Sequence, residues 1–327
     1  MKIQVLITCL FLPSLGFSEN EANSASFYQR KSPFQLVYDT QRPRGIFLPQ
    51  IVSLFLPGFD QYWEKQYAWG AAYTATALAG YIYAGNRAAA LGSDTIKKEN
   101  KNAYSSKNNT YREYNLGSQL TIVSGGLSTY HSFRTAVRSR EQTDDFYFLR
   151  EEESIGDLFL SPLRFDYLLR PTTLLPLAIA GVIAYVNNIP WSLAQNNRRS
   201  APLKSSDYFF SVAPSYGAGV SEEALFRGWL LPSLRYQFDH ELLANLTQAG
   251  VFGLAHLSTV QFPLVQGLLG FYLGSVTIKN RWTLSESIFI HAWWDIISFL
   301  GSYSTRDRNN PNTLYRPSIV IPLEIHF

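Results

Sequence analysis

The stretch that decides how this chain is read is Gly219–Leu234, GVSEEALFRGWLLPSL, where two adjacent glutamates and an arginine sit in an otherwise apolar run. Glu223 and Arg227 are four residues apart, so on a helix they share a face and can pair. Glu222 is displaced about 100° around the axis and is left available as a general base on water. An isolated carboxylate in an apolar setting costs several kcal/mol or more, so such groups face an interior cavity and find partners.

Partners of the right chemistry lie further along. His256 falls in VFGLAHL, four residues after Phe252. His291 and Asp295, again at i and i+4, lie in SIFIHAWWDIISF. Three apolar segments thus each carry a carboxylate or an imidazole, and gathering them around one wet cavity satisfies them all. Two chemistries fit that set. A glutamate and a histidine can activate water while His291 and Asp295 steady an oxyanion. Alternatively His256, His291 and a glutamate can bind Zn²⁺, which acidifies the water instead. No HExxH is present, but ligands spread over three helices leave no compact motif. Spacing alone does not choose between them.

The surrounding composition alone does not choose between a large soluble protein and a membrane protein, but the distribution of charge points to a membrane. Only 16% of the 327 residues are charged, against roughly 25% in soluble domains, while 46% are apolar and 15% aromatic. Lys and Arg number 28 against 25 Asp and Glu, too even a balance for a nucleic-acid binder. The mean hydropathy of −0.07 averages over apolar windows and polar loops. No charge occurs between Arg170 and Arg198, nor from Leu242 to Ile278, a window too long for one span that breaks near Ser258–Pro263 into two. Tyr208–Leu234 and Leu284–Ser302 are apolar apart from the site residues and Glu286. In the first half, Gln66–Asn86 is rich in Ala and Gly and belted by Tyr and Trp, and Tyr114–Phe133 is uncharged. Gly45–Phe59 is short and Pro-interrupted, equally suited to a re-entrant or interfacial segment and to a span. Gly92–Arg112 reads as a solvated loop, and Asp144–Asp166 as an interfacial helix.

The N-terminus, MKIQVLITCLFLPSLGFSEN, reads as a signal peptide cleaved near Ser18. It holds the only cysteine, Cys9, so a processed chain has no thiol chemistry. The expected architecture is an all-α polytopic transmembrane helical bundle. It comprises a signal peptide (1–18), an unassigned N-terminal region with a membrane hairpin and a polar loop (19–164), a membrane core (165–305) and a polar tail (306–327).

Taken together, EEALFRG (222–228), FGLAH (252–256) and HAWWD (291–295) resemble, in order and separation, the EExxxR, FxxxH and HxxxN/D motifs of the CAAX prenyl protease and bacteriocin-processing family. The resemblance covers roughly 165–300. It implies a glutamate-dependent intramembrane endopeptidase acting on a peptide or membrane-protein substrate in the lipid bilayer, with no cofactor, zinc being the alternative. The membrane expected is a bacterial inner membrane. Carried over residue by residue, the resemblance makes Glu222 the general base, Glu223 and Arg227 its supporting pair, His256 a holder of the water, and His291 with Asp295 the oxyanion site. Eukaryotic members carry Asn where Asp295 stands. An ionised Asp cannot donate to an oxyanion, so Asp295 is expected to orient His291, which then donates. A non-catalytic membrane protein of binding or immunity type, using the same cavity, is the competing class.

Overall fold

A computed structural model describes residues 44–100, 106, 108–141, 144–149, 151–188, 198–200, 203–256 and 263–307. The expected signal peptide, most of the polar tail and His326 lie outside the described residues.

The described chain is helical apart from one short antiparallel ribbon, β1 (Arg198–Ser200) with β2 (Thr305–Asp307). The helices are α1 (Leu48–Phe55), α2 (Phe59–Trp63), α3 (Tyr67–Leu91), α4 (Ser93–Asn100), α5 (Asn109–Arg138), α6 (Ile155–Leu160) and α7 (Pro171–Asn188). They continue with α8 (Ser205–Leu225), α9 (Leu231–Phe238), α10 (Glu241–Ala255), α11 (Pro263–Lys279) and α12 (Ser285–Ser304). Gly92–Arg112, read as a loop, contains α4: Asp94 in its first turn and Lys97 and Lys98 in its last complement the helix dipole. Asp144–Asp166 is not one helix: turns at 144–148 lead to the short α6, opened by a capping box from Ser154 and Asp157, and then to 3-10 turns at Ser161–Leu163 and Phe165–Leu169.

Three long helices build the centre. α8 packs between α5 and α12, and small residues set how closely. A methyl group at Gly219 would lie 2.9 Å from both Cβ and the backbone N of Ala292, so α8 and α12 cross almost backbone to backbone. On the opposite side a methyl at Gly126 of α5 would come 2.7 Å from the Ser221 carbonyl oxygen. The residue after Ser221 is Glu222, so both contacts fix the height of the glutamates.

Among the described residues no helix is long and apolar enough to cross a membrane. This corrects the expectation of individual spanning helices. The charge-free windows are present, but Gly, Ser, Thr and Tyr dilute α3 and α5, ionisable residues interrupt α8 and α12, and α11 ends after 17 residues. The diluting residues have a place. On α5, Gln119, Ser124, Ser128, Thr129 and Ser132 are all buried against neighbouring helices.

Candidate active site

All six residues singled out in the sequence are buried and brought together by four elements: α8, the turn after it, the end of α10, and α12. The chain leaves α8 through one π-helical stretch, Phe226–Leu230, which carries Arg227. Such bulges widen the helix by one residue and recur at functional sites. Here it keeps Arg227 within reach of Glu223, with Nη1 2.9 Å from Oε1, while Nη2 donates to the Gly270 carbonyl on α11 at 3.0 Å. The guanidinium also lies over the Phe252 ring, 4.4 Å from its centroid.

The imidazoles come from two further helices. His256 is the C-cap of α10, and its Nδ1 lies 2.7 Å from the Phe252 carbonyl oxygen. A carbonyl only accepts, so Nδ1 carries a proton and Nε2 is the nitrogen turned toward the site. That Nε2 faces Glu222 Oε2 at 4.0 Å. His291, on α12, presents its Nε2 to the same Oε2 at 3.9 Å. Its Nδ1 donates to Glu223 Oε1 at 2.8 Å. Asp295 Oδ2 lies 3.5 Å from His291 Nε2.

Beside Asp295, which lies against Nε2 of His291, Glu223 also holds the ring by accepting a short hydrogen bond from Nδ1. Glu223 Oε1 therefore serves Arg227 and His291 at once, joining α8, the π turn and α12. Among the described residues, no group of three or more His, Cys, Asp or Glu side chains is arranged to hold a metal ion.

Glu286, the other carboxylate in the α12 segment, is engaged elsewhere. It accepts from Arg170 Nη1 at 2.6 Å, Asn280 Nδ2 at 2.8 Å, Thr173 Oγ1 at 3.2 Å and Thr172 Oγ1, tying α12 to the start of α7. His131 lies 3.2 Å from the Tyr73 hydroxyl, and His240 caps α10; neither joins the site. Sequence reasoning missed Gln248, whose Nε2 donates to the Gly270 carbonyl at 2.9 Å beside Arg227. Its signal was available: Gln248, Phe252 and His256 recur every four residues on one face of the charge-free stretch that follows Glu241.

Residues 204–297 match the family model of Type II CAAX prenyl endopeptidase Rce1-like proteins. The chain carries a CAAX protease-like domain. The matched span runs from the start of α8 into α12 and contains all six site residues, while the CAAX protease-like match leaves α1–α7 outside it. No curated protein and no solved structure matches the chain.

Proposed function

We propose that the CAAX protease-like domain is a glutamate-dependent intramembrane endopeptidase that needs no metal. The observation that carries this reading is the position of Glu222 Oε2, about equally far from the Nε2 atoms of His256 and His291 at 4.0 and 3.9 Å. A water placed about 2.8 Å from Glu222 Oε2 and from His256 Nε2 fits between them, its two protons directed at a carboxylate oxygen and a ring acceptor. Its lone pairs then face the substrate. Glu222 takes one proton as the water oxygen attacks the peptide carbonyl, and passes it to the leaving amine. His291, held at Nδ1 by Glu223, offers Nε2–H to the oxyanion, with Asp295 beside it stabilising the positive ring. Arg227 offsets the charge of Glu223, so that the paired carboxylate does not repel the ionised Glu222.

The membrane part of the reading rests on the outer surface. Large apolar side chains point outward along α3 (Leu78, Tyr81, Ile82), α7 (Leu174, Leu175, Ile179, Val182), α10 (Leu246, Val251, Leu254) and α11 (Leu264, Leu268). A monomer in water rarely exposes so much apolar surface. Surrounded by lipid, the same band is solvated, and the bundle as a whole satisfies what no single helix does.

The test compares membranes from cells expressing the wild type with those expressing Glu222→Gln, which keeps the size of the side chain and removes the base. New peptide N-termini present with the wild type should vanish in the variant, with equal protein levels. Identical profiles would favour the binding-protein reading. Cleavage by the wild type should withstand a chelator; loss on chelation with recovery on adding zinc would favour a metal site.

A further inference from the structure

The segment Arg44–Glu64 has its polarity reversed. Its polar residues Gln50, Ser53, Asp60 and Gln61 are at most 2% exposed, while Leu48 and Phe55 are 72%, Leu56 61% and Trp63 74% exposed. Gln50, Gly58 and Gln61 on the inner face hydrogen-bond to α5, while Ser53 accepts from the Asp60 amide within the segment. Gln50 Nε2 donates to Ser132 Oγ (3.2 Å), and Thr129 Oγ1 to the Gln50 carbonyl (3.1 Å). Ser128 Oγ accepts from the Gly58 amide (2.9 Å) and donates to Gln61 Oε1 (2.8 Å), while Gln61 Nε2 donates to the Ser128 carbonyl (3.1 Å). In water this arrangement exposes what should be buried; in hydrocarbon it is the stable one.

Helix α5 serves as a ruler for depth. It carries no charge from Tyr114 to Phe133, 20 residues, or about 30 Å of helix, the thickness of a bilayer core. The segment starts beside the Arg134 end of that stretch: Arg140 donates through Nε and Nη2 to the Arg44 carbonyl, at 3.0 and 2.8 Å. α1 then runs antiparallel to α5 as far as Leu54, whose carbonyl lies against Gly125. Gly125 is about 13 Å into the charge-free stretch, close to its middle. The chain turns at Leu56–Gly58, with Gly58 in the left-handed region (φ 95°) and packed on the Gly70 backbone, where a side chain would not fit. It returns through α2, and its end meets its start: Arg44 Nη2 pairs with Asp60 at 2.5 Å and with Glu64 at 3.0 Å. At 8 and 5 residues, α1 and α2 are about 12 and 8 Å long, each too short to cross.

We propose that residues 44–64 form a re-entrant hairpin, which dips to the middle of the bilayer and leaves on the side it entered, its outer face against lipid acyl chains. Between Gly45 and Phe59 there is no charge, and the ion pairs gather at the base. The exposed aromatic rings of Trp63 and Tyr67 stand at that base, where interfacial rings belong. Leu78, Tyr81 and Ile82 of α3, and large apolar residues of α7, α10 and α11, are exposed as well, so the apolar surface is not confined to a patch on the hairpin that one protein partner would cover.

This inference rests on the membrane part of the proposed function and is independent of its protease part. The test uses the full chain in a Cys9→Ser background, with single cysteines introduced by Gly45→Cys and Lys65→Cys at the base and by Leu56→Cys at the tip. Phe55→Cys serves as a second tip probe should Leu56→Cys fold poorly. The expected result has three parts. The protein stays with membranes through an alkaline carbonate wash. Positions 45 and 65 react with a membrane-impermeant maleimide from the same side only. An environment-sensitive fluorophore at the tip is quenched severalfold more by lipids brominated in mid-chain than by unbrominated ones. Labelling of 45 and 65 from opposite sides overturns the re-entrant path alone. Protection of the tip that depends on protein concentration, without quenching by brominated lipid, assigns the face to a second copy and overturns the lipid contact. Release by alkali overturns the hairpin and the membrane reading together, and leaves the cleavage assay to judge the protease.

Discussion

Arg227 answers to three groups at once: the Glu223 carboxylate, the Gly270 carbonyl and the Phe252 ring. A planar guanidinium can do this, and a lysine ammonium at the same position cannot, because its charge is a point on a flexible stem. Arg227→Lys should therefore retain the ion pair but lose the link to α11, costing about 1.5–3 kcal/mol, the worth of one hydrogen bond from a charged group, while Gln248 still donates to the Gly270 carbonyl. Thermal unfolding in detergent, followed by circular dichroism, measures this. Glu223→Gln should be worse, since it strands a fully buried guanidinium, a change that typically costs about 3–5 kcal/mol. It also removes the anion holding His291. If the two roles of Glu223 are coupled, Glu223→Gln combined with Arg227→Met should recover much of the stability and none of the cleavage. Recovery of both would show that Glu223 acts only as a partner for the arginine.

At the scale of elements, the proposed catalytic set is positioned in part by segments that carry none of it. Gly126 of α5 lets its helix touch the Ser221 carbonyl, one residue before Glu222. Gly126→Ala places a methyl 2.7 Å from that oxygen, so α8 must shift by several tenths of an ångström. Displacements of this size at a reacting group are expected to lower kcat about tenfold or more with KM little changed. An equal change in both, or a loss of folded protein, would reduce the contact to packing. The N-terminus of α12, which carries His291 and Asp295, is capped from a distance by Glu153, which accepts from the backbone amides of Leu284 and Ser285. Glu153 lies outside the helices, and burial pushes its carboxyl above the ordinary carboxylate range, although those amides and the Ser285 hydroxyl pull the other way. With the folded value above the unfolded one, the folded state holds the proton more tightly. Stability should thus fall as pH rises from the ordinary carboxylate value through the folded one. Glu153→Gln should flatten that slope in a melting-temperature series, and an unchanged slope would place its origin elsewhere.

For the molecule as a whole, the sequence revealed the site more clearly than the envelope. Glu222, Glu223, Arg227, His256, His291 and Asp295 stood out because each is an ionisable group in an apolar run, and spacing of three or four residues is local. The second hold on His291, by Glu223 at Nδ1, was not legible, because it depends on how α8 crosses α12 at Gly219 and Ala292, a contact between residues 73 positions apart. The membrane character was blurred for a related reason. Hydropathy averages a helix over all its faces, whereas α5 buries its serines and threonines in protein, and α3 and α7 keep their large apolar residues outside. This yields a last prediction that separates lipid from water as the medium around the bundle. Leu175 of α7 is 62% exposed and contacts no catalytic residue described above. On a water-facing helix, Leu175→Lys would change stability by no more than about 0.5 kcal/mol. Facing hydrocarbon in the second turn of α7, the same charge costs a sizeable part of the about 2.5–3.5 kcal/mol that insertion scales give at a helix centre. The variant should then accumulate in membranes severalfold less than the wild type, while Glu241→Lys at the polar start of α10 should accumulate normally. Equal membrane levels for Leu175→Lys and the wild type would mean that α7 is bathed in water and that the apolar band serves another purpose.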